Sequence, residues 1–289
     1  MDFFLLPMQE LKLTASDQFP ITAHIFLPEK SNGRLLLINS ATGVRQQLYF
    51  SFARYFSQKG FTVITYDYRG IGLSKPARMK GFKASMRIWG AVDYKAVTDY
   101  IKIHFKDCKK YVLGHSVGAL ILGMNEDSGI FDEFVFVGTQ NAFIGNLKFR
   151  TQAEAFLGFG IVQPLTTGLL GYFPAHWFGL GESLPKNCAS DWRTLILNRK
   201  STNRLLEKTA DFTKQLTRRV LVIRAEDDGW LTEKGVQSLL NDTYPNLKPV
   251  YRLIKTSESE QGEIGHVNFF RSYNKNLWNI ILNELTEHE

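Results

Sequence analysis

The sequence predicts an α/β fold, a mostly parallel central sheet with helices on both faces and one helical insertion. Three observations carry this reading. Short continuous apolar runs such as RLLLIN (34–39) suit strands buried on both faces, and stretches of helical period alternate with them. One Gly-, Pro- and aromatic-rich stretch, 140–200, breaks that rhythm without offering a strand-length β run. A structureless loop of that length is improbable inside a compact domain, so 140–200 is expected to be a largely helical cap, or lid, over one sheet edge. Residues 1–139 and 201–289 would form the core. At 289 residues, 44% hydrophobic and 22% charged, the chain has ordinary globular composition, and length alone allows one large domain or two small ones.

Two β-type runs open the chain, 11–14 and 21–27, the second alternating Ile21, Ala23, Ile25 and Leu27, with Asp17 and Pro20 in the connection. They read as an antiparallel entry pair. After the strand at 34–39, QLYFSFARYFSQKG (47–60) spaces apolar residues at helical period and stops at Gly60. FTVITYD (61–67) is strand-like, 86–105 is an amphipathic helix, KYVLG (110–114) is a strand, and a helix follows Ser116. Three further strands are expected at 131–138, 218–225 and 249–255, and a closing helix over roughly 267–287.

Charge and cysteine usage narrow the function classes. The net charge of +7 favours anionic surfaces or substrates, but the basic residues are scattered, with only short clusters such as Lys109-Lys110 and Arg218-Arg219. No nucleic-acid stripe is visible, so no nucleic-acid partner is expected. Cys108 and Cys188 are far apart and lack metal-ligand spacing, which suits reduced thiols in a cytoplasmic setting; no metal and no cofactor are expected. The start MDFFLLPMQE carries an acid at position 2, a short apolar run and Pro7, and does not read as a secretory signal. No uncharged apolar run approaches the roughly 18 to 20 residues needed to span a bilayer, so stable membrane insertion is not expected. A homodimer stays open.

The chemistry centres on Gly114-His115-Ser116-Val117-Gly118, a match to G-x-S-x-G between a predicted strand and a predicted helix. A serine on such a tight turn needs small residues two before and two after. It also sits at a helix N-terminus, where free N–H groups and the helix dipole stabilise developing negative charge. A serine hydroxyl is a weak nucleophile and needs a base, which in turn needs an orienting acid. Of the six histidines, His115 is the tempting neighbour, but adjacent side chains on the turn diverge. His24 lies in an early strand, His104 near a helix end, His176 in the insertion and His288 at the terminus.

Beyond the pentapeptide, Asp67-Tyr68-Arg69-Gly70-Ile71-Gly72-Leu73-Ser74 directly after a strand is similar to a D-x-R-G-x-G-x-S segment. Together these features, over nearly the whole chain, resemble an α/β-hydrolase with the α/β-hydrolase fold. The Ala41-Thr42-Gly43-Val44 segment, DYRGIG and the later GLGESLP resemble a bacterial branch related to the serine aminopeptidase and lysophospholipase-like groups. The resemblance implies that Asp67 and Arg69 are structural, and that the base follows the last strand, which selects His266 in GEIGHVNFF. It implies an acid in the loop after the penultimate strand, where Glu226, Asp227 and Asp228 stand; alignment to the family favours Asp228, with Asp227 as rival. Where the family often has His-Gly, this chain has Asn39-Ser40. Position in the family pattern suggests the N–H groups of Ala41 and Val117 as the oxyanion hole, with Thr42 second.

The expectation is therefore a serine hydrolase cleaving a carboxylic ester or related acyl bond of a small molecule through Ser116, His266 and Asp228. Thr42, His115, Phe173, His176, Trp177 and Trp230 are the expected substrate contacts. Phe156, Phe159, Leu169, Leu170, Tyr172 and Phe178 could line the same apolar pocket, with packing of the lid as the competing role. Acyltransferase or thioesterase chemistry, and a non-catalytic scaffold, remain as rivals. So does an aminopeptidase, with Glu154 or Glu182 anchoring the substrate amine.

Overall fold

The computed structural model describes residues 8–287; His288 and residues 1–7 of the opening segment lie outside them. Eight strands form one sheet: β1 (Met8–Thr14), β2 (Pro20–Phe26), β3 (Arg34–Asn39), β4 (Thr62–Tyr66), β5 (Lys109–His115), β6 (Glu133–Val137), β7 (Arg219–Ala225) and β8 (Lys248–Ile254). Their order is β1-β2-β4-β3-β5-β6-β7-β8. β1 pairs antiparallel with β2 and β2 with β4, while every pair from β4 to β8 is parallel.

Period-two alternation sorts the strand residues onto the two faces. Leu35, Leu37, Ile64, Val112 and Phe136 join one core with Trp89, Val97 and Ile101. Leu36, Ile38, Val63, Leu113 and Val137 join the other with Phe52, Phe56 and Trp278. Helices Phe50–Gln58, Tyr94–His104, Glu233–Asp242 and Asn279–Thr286 supply much of the cover. The helix Glu233–Asp242 is not among the elements expected from sequence, although Val236, Leu239 and Leu240 give it a buried face and Thr232 Oγ1 caps it by accepting from Gly235 N at 3.0 Å.

Two expected helices are shorter than their periodicity suggests. After Ser116 only Val117–Leu120 is α-helical, giving way to 3₁₀ turns. The expected helix over 267–287 is two 3₁₀ segments followed by Asn279–Thr286. The interruption has a local cause: buried Asn274 leaves helical geometry (φ −103°) and donates to the carbonyls of Glu263 (3.1 Å) and Asn268 (2.9 Å).

In the stretch 140–200, helices Phe149–Leu157, Gln163–Leu170 and Lys186–Leu197 dominate, the first two joined by a π turn at Gly158–Val162. Tyr172–Phe173 and Leu184–Pro185 pair as a two-residue antiparallel ribbon. Both cysteines are free thiols, Cys188 within the core.

Candidate active site

Parallel registration brings the C-terminal ends of β3, β5, β6 and β7 to one edge, with Asn39 opposite Gly114, His115 opposite Val137 and Val137 opposite Ile223. In parallel sheets this edge is where loops build a site. Ser116 follows β5 with φ 52° and ψ −117°, a left-handed geometry that costs a non-glycine residue of order 1–3 kcal/mol. The flanking glycines are steric necessities. A Cβ on Gly114 would lie 2.5 Å from Ala119 Cα, and one on Gly118 would lie 2.2 Å from the Asn39 carbonyl oxygen.

The three acids after β7 divide the work of holding the opposite loop. Asp228, 2% exposed, accepts from His266 Nδ1 at 2.7 Å and from Trp230 N at 2.9 Å. Asp227 accepts from the N–H groups of Ile264 and Gly265, both at 2.9 Å, and so fixes the turn that presents His266. Glu226 accepts from Thr256 N at 3.1 Å. The imidazole contact therefore belongs to Asp228, and its rival acts on backbone. Ser116 Oγ makes no hydrogen bond among the described residues, and it faces the same cavity as His266.

His115 is fully buried and lies behind the cavity rather than on its wall, which corrects its expected role as a substrate contact. Its Nε2 lies 2.8 Å from the His266 carbonyl oxygen, and its Nδ1 lies 2.8 Å from Tyr49 Oη. Tyr49 Oη in turn accepts from Ala41 N at 2.9 Å. Only one proton arrangement satisfies all three contacts: Ala41 N–H to Tyr49, Tyr49 O–H to His115 Nδ1, and His115 Nε2–H to the His266 carbonyl. Burial keeps this ring neutral, holding its pKa down at about 3.

The same chain corrects the expected oxyanion hole. Ala41 N–H is committed to the interior, whereas no hydrogen bond among the described residues engages the N–H groups of Thr42 or Val117, and both residues line the cavity. Asn39, standing where His-Gly is common, clamps the two loops together: Nδ2 donates to the Gly118 carbonyl (3.2 Å) and Oδ1 accepts from Tyr66 Oη (2.8 Å). Periodicity holds no trace of Tyr49 or Asn39 as site residues, because each acts through a partner distant in sequence.

Residues 34–139 match the family model described as "Serine aminopeptidase, S33". No curated protein matches the sequence. Among solved structures, a thermostable carboxyl esterase from Bacillus coagulans is similar at TM-score 0.66 and 14% identity, over 97% of this chain and 98% of that one. An esterase from Pyrococcus furiosus gives TM-score 0.61 and 14% identity, over 98% and 90%. An α/β serine hydrolase described as lacking a lid, from Xanthomonas campestris, gives 0.55 and 12%, over 99% and 97%. The chain has the α/β-hydrolase fold.

The cavity measures about 1050 Å³. Thr42, His176 and Trp230 lie on its wall, together with Leu147, Trp192 and Ile196 from the stretch 140–200. Phe173 and Trp177 do not. Phe173 is buried in the core and stacks on Phe178 at 5.7 Å, and Trp177 points to solvent. The other expected aromatic lining is likewise absent from the wall, because Phe156 and Leu169 face outward and Phe159 packs on Trp192.

Segment 179–183 seats the stretch 140–200 on the loop that follows β3. Glu182 N donates to the Gly43 carbonyl at 2.8 Å, Glu182 Oε2 accepts from Gly72 N at 2.6 Å, and Arg45 pairs with its carboxylate at 2.6 Å. Asp67 and Arg69 hold the loops together through hydrogen bonds and ion pairs. Asp67 accepts from Gln46 N (2.8 Å) and Leu73 N (2.9 Å), and Arg69 bridges Asp17 and the buried Asp93. Among the described residues no cluster of three or more His, Cys, Asp or Glu is set to hold a metal ion.

Proposed function

We propose that the protein is a serine hydrolase that cleaves a carboxylic ester, with Ser116 as nucleophile, His266 as base and Asp228 as orienting acid. The observation that carries this reading is the 2.7 Å contact of Asp228 with His266 Nδ1, on a loop opening to the same cavity as the strained Ser116. Ser116 Oγ adds to the carbonyl carbon as its proton passes to His266 Nε2. Asp228 holds the Nδ1–H tautomer and stabilises the imidazolium. The N–H groups of Thr42 and Val117 receive the oxyanion. Collapse expels the alcohol, protonated by His266, and leaves an acyl-serine that water opens by the same steps in reverse order.

The stretch 140–200 acts as a lid whose Leu147, Trp192 and Ile196 give the cavity an apolar wall suited to an acyl chain. An aminopeptidase needs a free acid near the substrate amine. Glu182 is engaged by Arg45 and Gly72 N, and Glu154 pairs with Arg150 away from the cavity, so neither serves as that anchor. The esterase names of the structural neighbours agree with this preference.

Ser116→Ala assayed on short p-nitrophenyl esters tests the reading. Turnover is expected to fall by about 10⁴-fold or more with the fold intact. Undiminished turnover would sink the mechanism.

A further inference from the structure

The helical segment 149–170 exposes more apolar surface than it buries. Its inward face buries Gln163 and Thr167, whose Oε1 and Oγ1 find no hydrogen-bond partner, beside Ala155 and Phe159. Its outward face carries Phe149, Phe156, Leu157, Ile161, Leu165 and Leu169, with Phe149 87% and Leu169 82% exposed. A helix meeting water on its outer face puts apolar residues inward and polar residues outward. This one buries two unpartnered polar groups and exposes six large apolar side chains, over a length and composition sufficient to cross a membrane. It does not cross here, because Phe159 packs on Trp192 with ring centroids 5.0 Å apart and Arg193 Nε donates to the Phe159 carbonyl at 2.9 Å. The helix lies flat on the protein.

We infer that this face docks on an anionic phospholipid bilayer, lying in the interface with its apolar stripe among the acyl chains. Charge decides between lipid and a second copy of the chain. Lys148 is exposed at the start of the stripe, next to Arg150, whose guanidinium pairs with Glu154 at 3.2 Å. At its far end Lys80 lies against Gly171, within a segment, 75–87, that holds Lys75, Arg78, Lys80, Lys83 and Arg87 and no acid. Arg78, Lys80 and Lys83 are exposed and form no ion pair among the described residues. A two-fold pairing of antiparallel stripes would set these basic ends against each other, whereas anionic headgroups meet both at once.

Vesicle flotation of the full chain tests this, using phosphatidylcholine alone and phosphatidylcholine with one third phosphatidylglycerol. The expected result is binding at least about tenfold tighter to the anionic vesicles. The double substitution Leu165→Glu with Leu169→Glu should weaken it a further tenfold or so while hydrolysis of a short soluble ester and the melting curve stay unchanged. Ser116→Ala should float like the parent, so loss of the proposed chemistry and loss of docking are separable. Absence of binding to anionic vesicles overturns the inference, as does undiminished binding by the double variant. A dimer in solution that the double variant converts to monomer overturns it in favour of self-association.

Discussion

His115 and His266 have their ring centroids 5.3 Å apart, yet their surroundings give them different tasks. His266 is part-exposed and takes its second-nitrogen contact from Asp228, while His115 is sealed between Tyr49 and the His266 carbonyl. The sealed ring makes stability depend on pH. Its folded pKa of about 3 lies below the ordinary 6.5, so its contribution is fully present above pH 6.5 and is lost as pH falls toward 3. By pH 5 this amounts to about 2 kcal/mol. Urea denaturation at pH 7 and pH 5 should therefore show a smaller loss for His115→Gln than for the parent, and equal losses would refute the buried neutral ring. At this scale the sequence singles out Ser116, Asp228 and His266 by residue type and chain order, and the structure brings Asp228 onto His266 and opens His266 and Ser116 to one cavity. The part played by Ala41 was not legible, since the direction of one N–H depends on Tyr49, eight residues on, reaching it across the fold.

Elements were legible where one periodicity ran uninterrupted. β3 to β6 show this well, with apolar residues filling both faces. The closing helix was over-extended because Asn274 looks innocuous in a helical pattern, and only its buried carbonyl partners break the turn. The expected aromatic pocket failed for a related reason: composition signals that 140–200 is apolar, but not which helix face turns inward. Between β4 and helix 94–104, the DYRGIG turn is held by one buried arginine. Arg69 Nε meets Asp93 at 2.6 Å, and Asp93 is wholly buried. Arg69→Met would strand that carboxylate, so a loss of about 3–5 kcal/mol is expected in urea denaturation. Adding Asp93→Asn should recover part of it. A loss below about 1 kcal/mol for the single variant would show that the pair does not hold the turn.

For the molecule as a whole, the parallel sheet gathers at one edge a strained serine, an acid-braced histidine and two free N–H groups, and 179–183 pins the stretch 140–200 above them. The β7 and β8 loops meet only after folding, since Asp228 and His266 are 38 residues apart in sequence. On the proposed reading, this convergence makes Ser116 a nucleophile. The most direct measurement is reaction with a fluorophosphonate probe, located by peptide mass spectrometry. The expected result is a single adduct on Ser116, absent in Ser116→Ala and slowed by orders of magnitude in His266→Ala. Labelling elsewhere, or an unchanged rate without His266, would contradict the account.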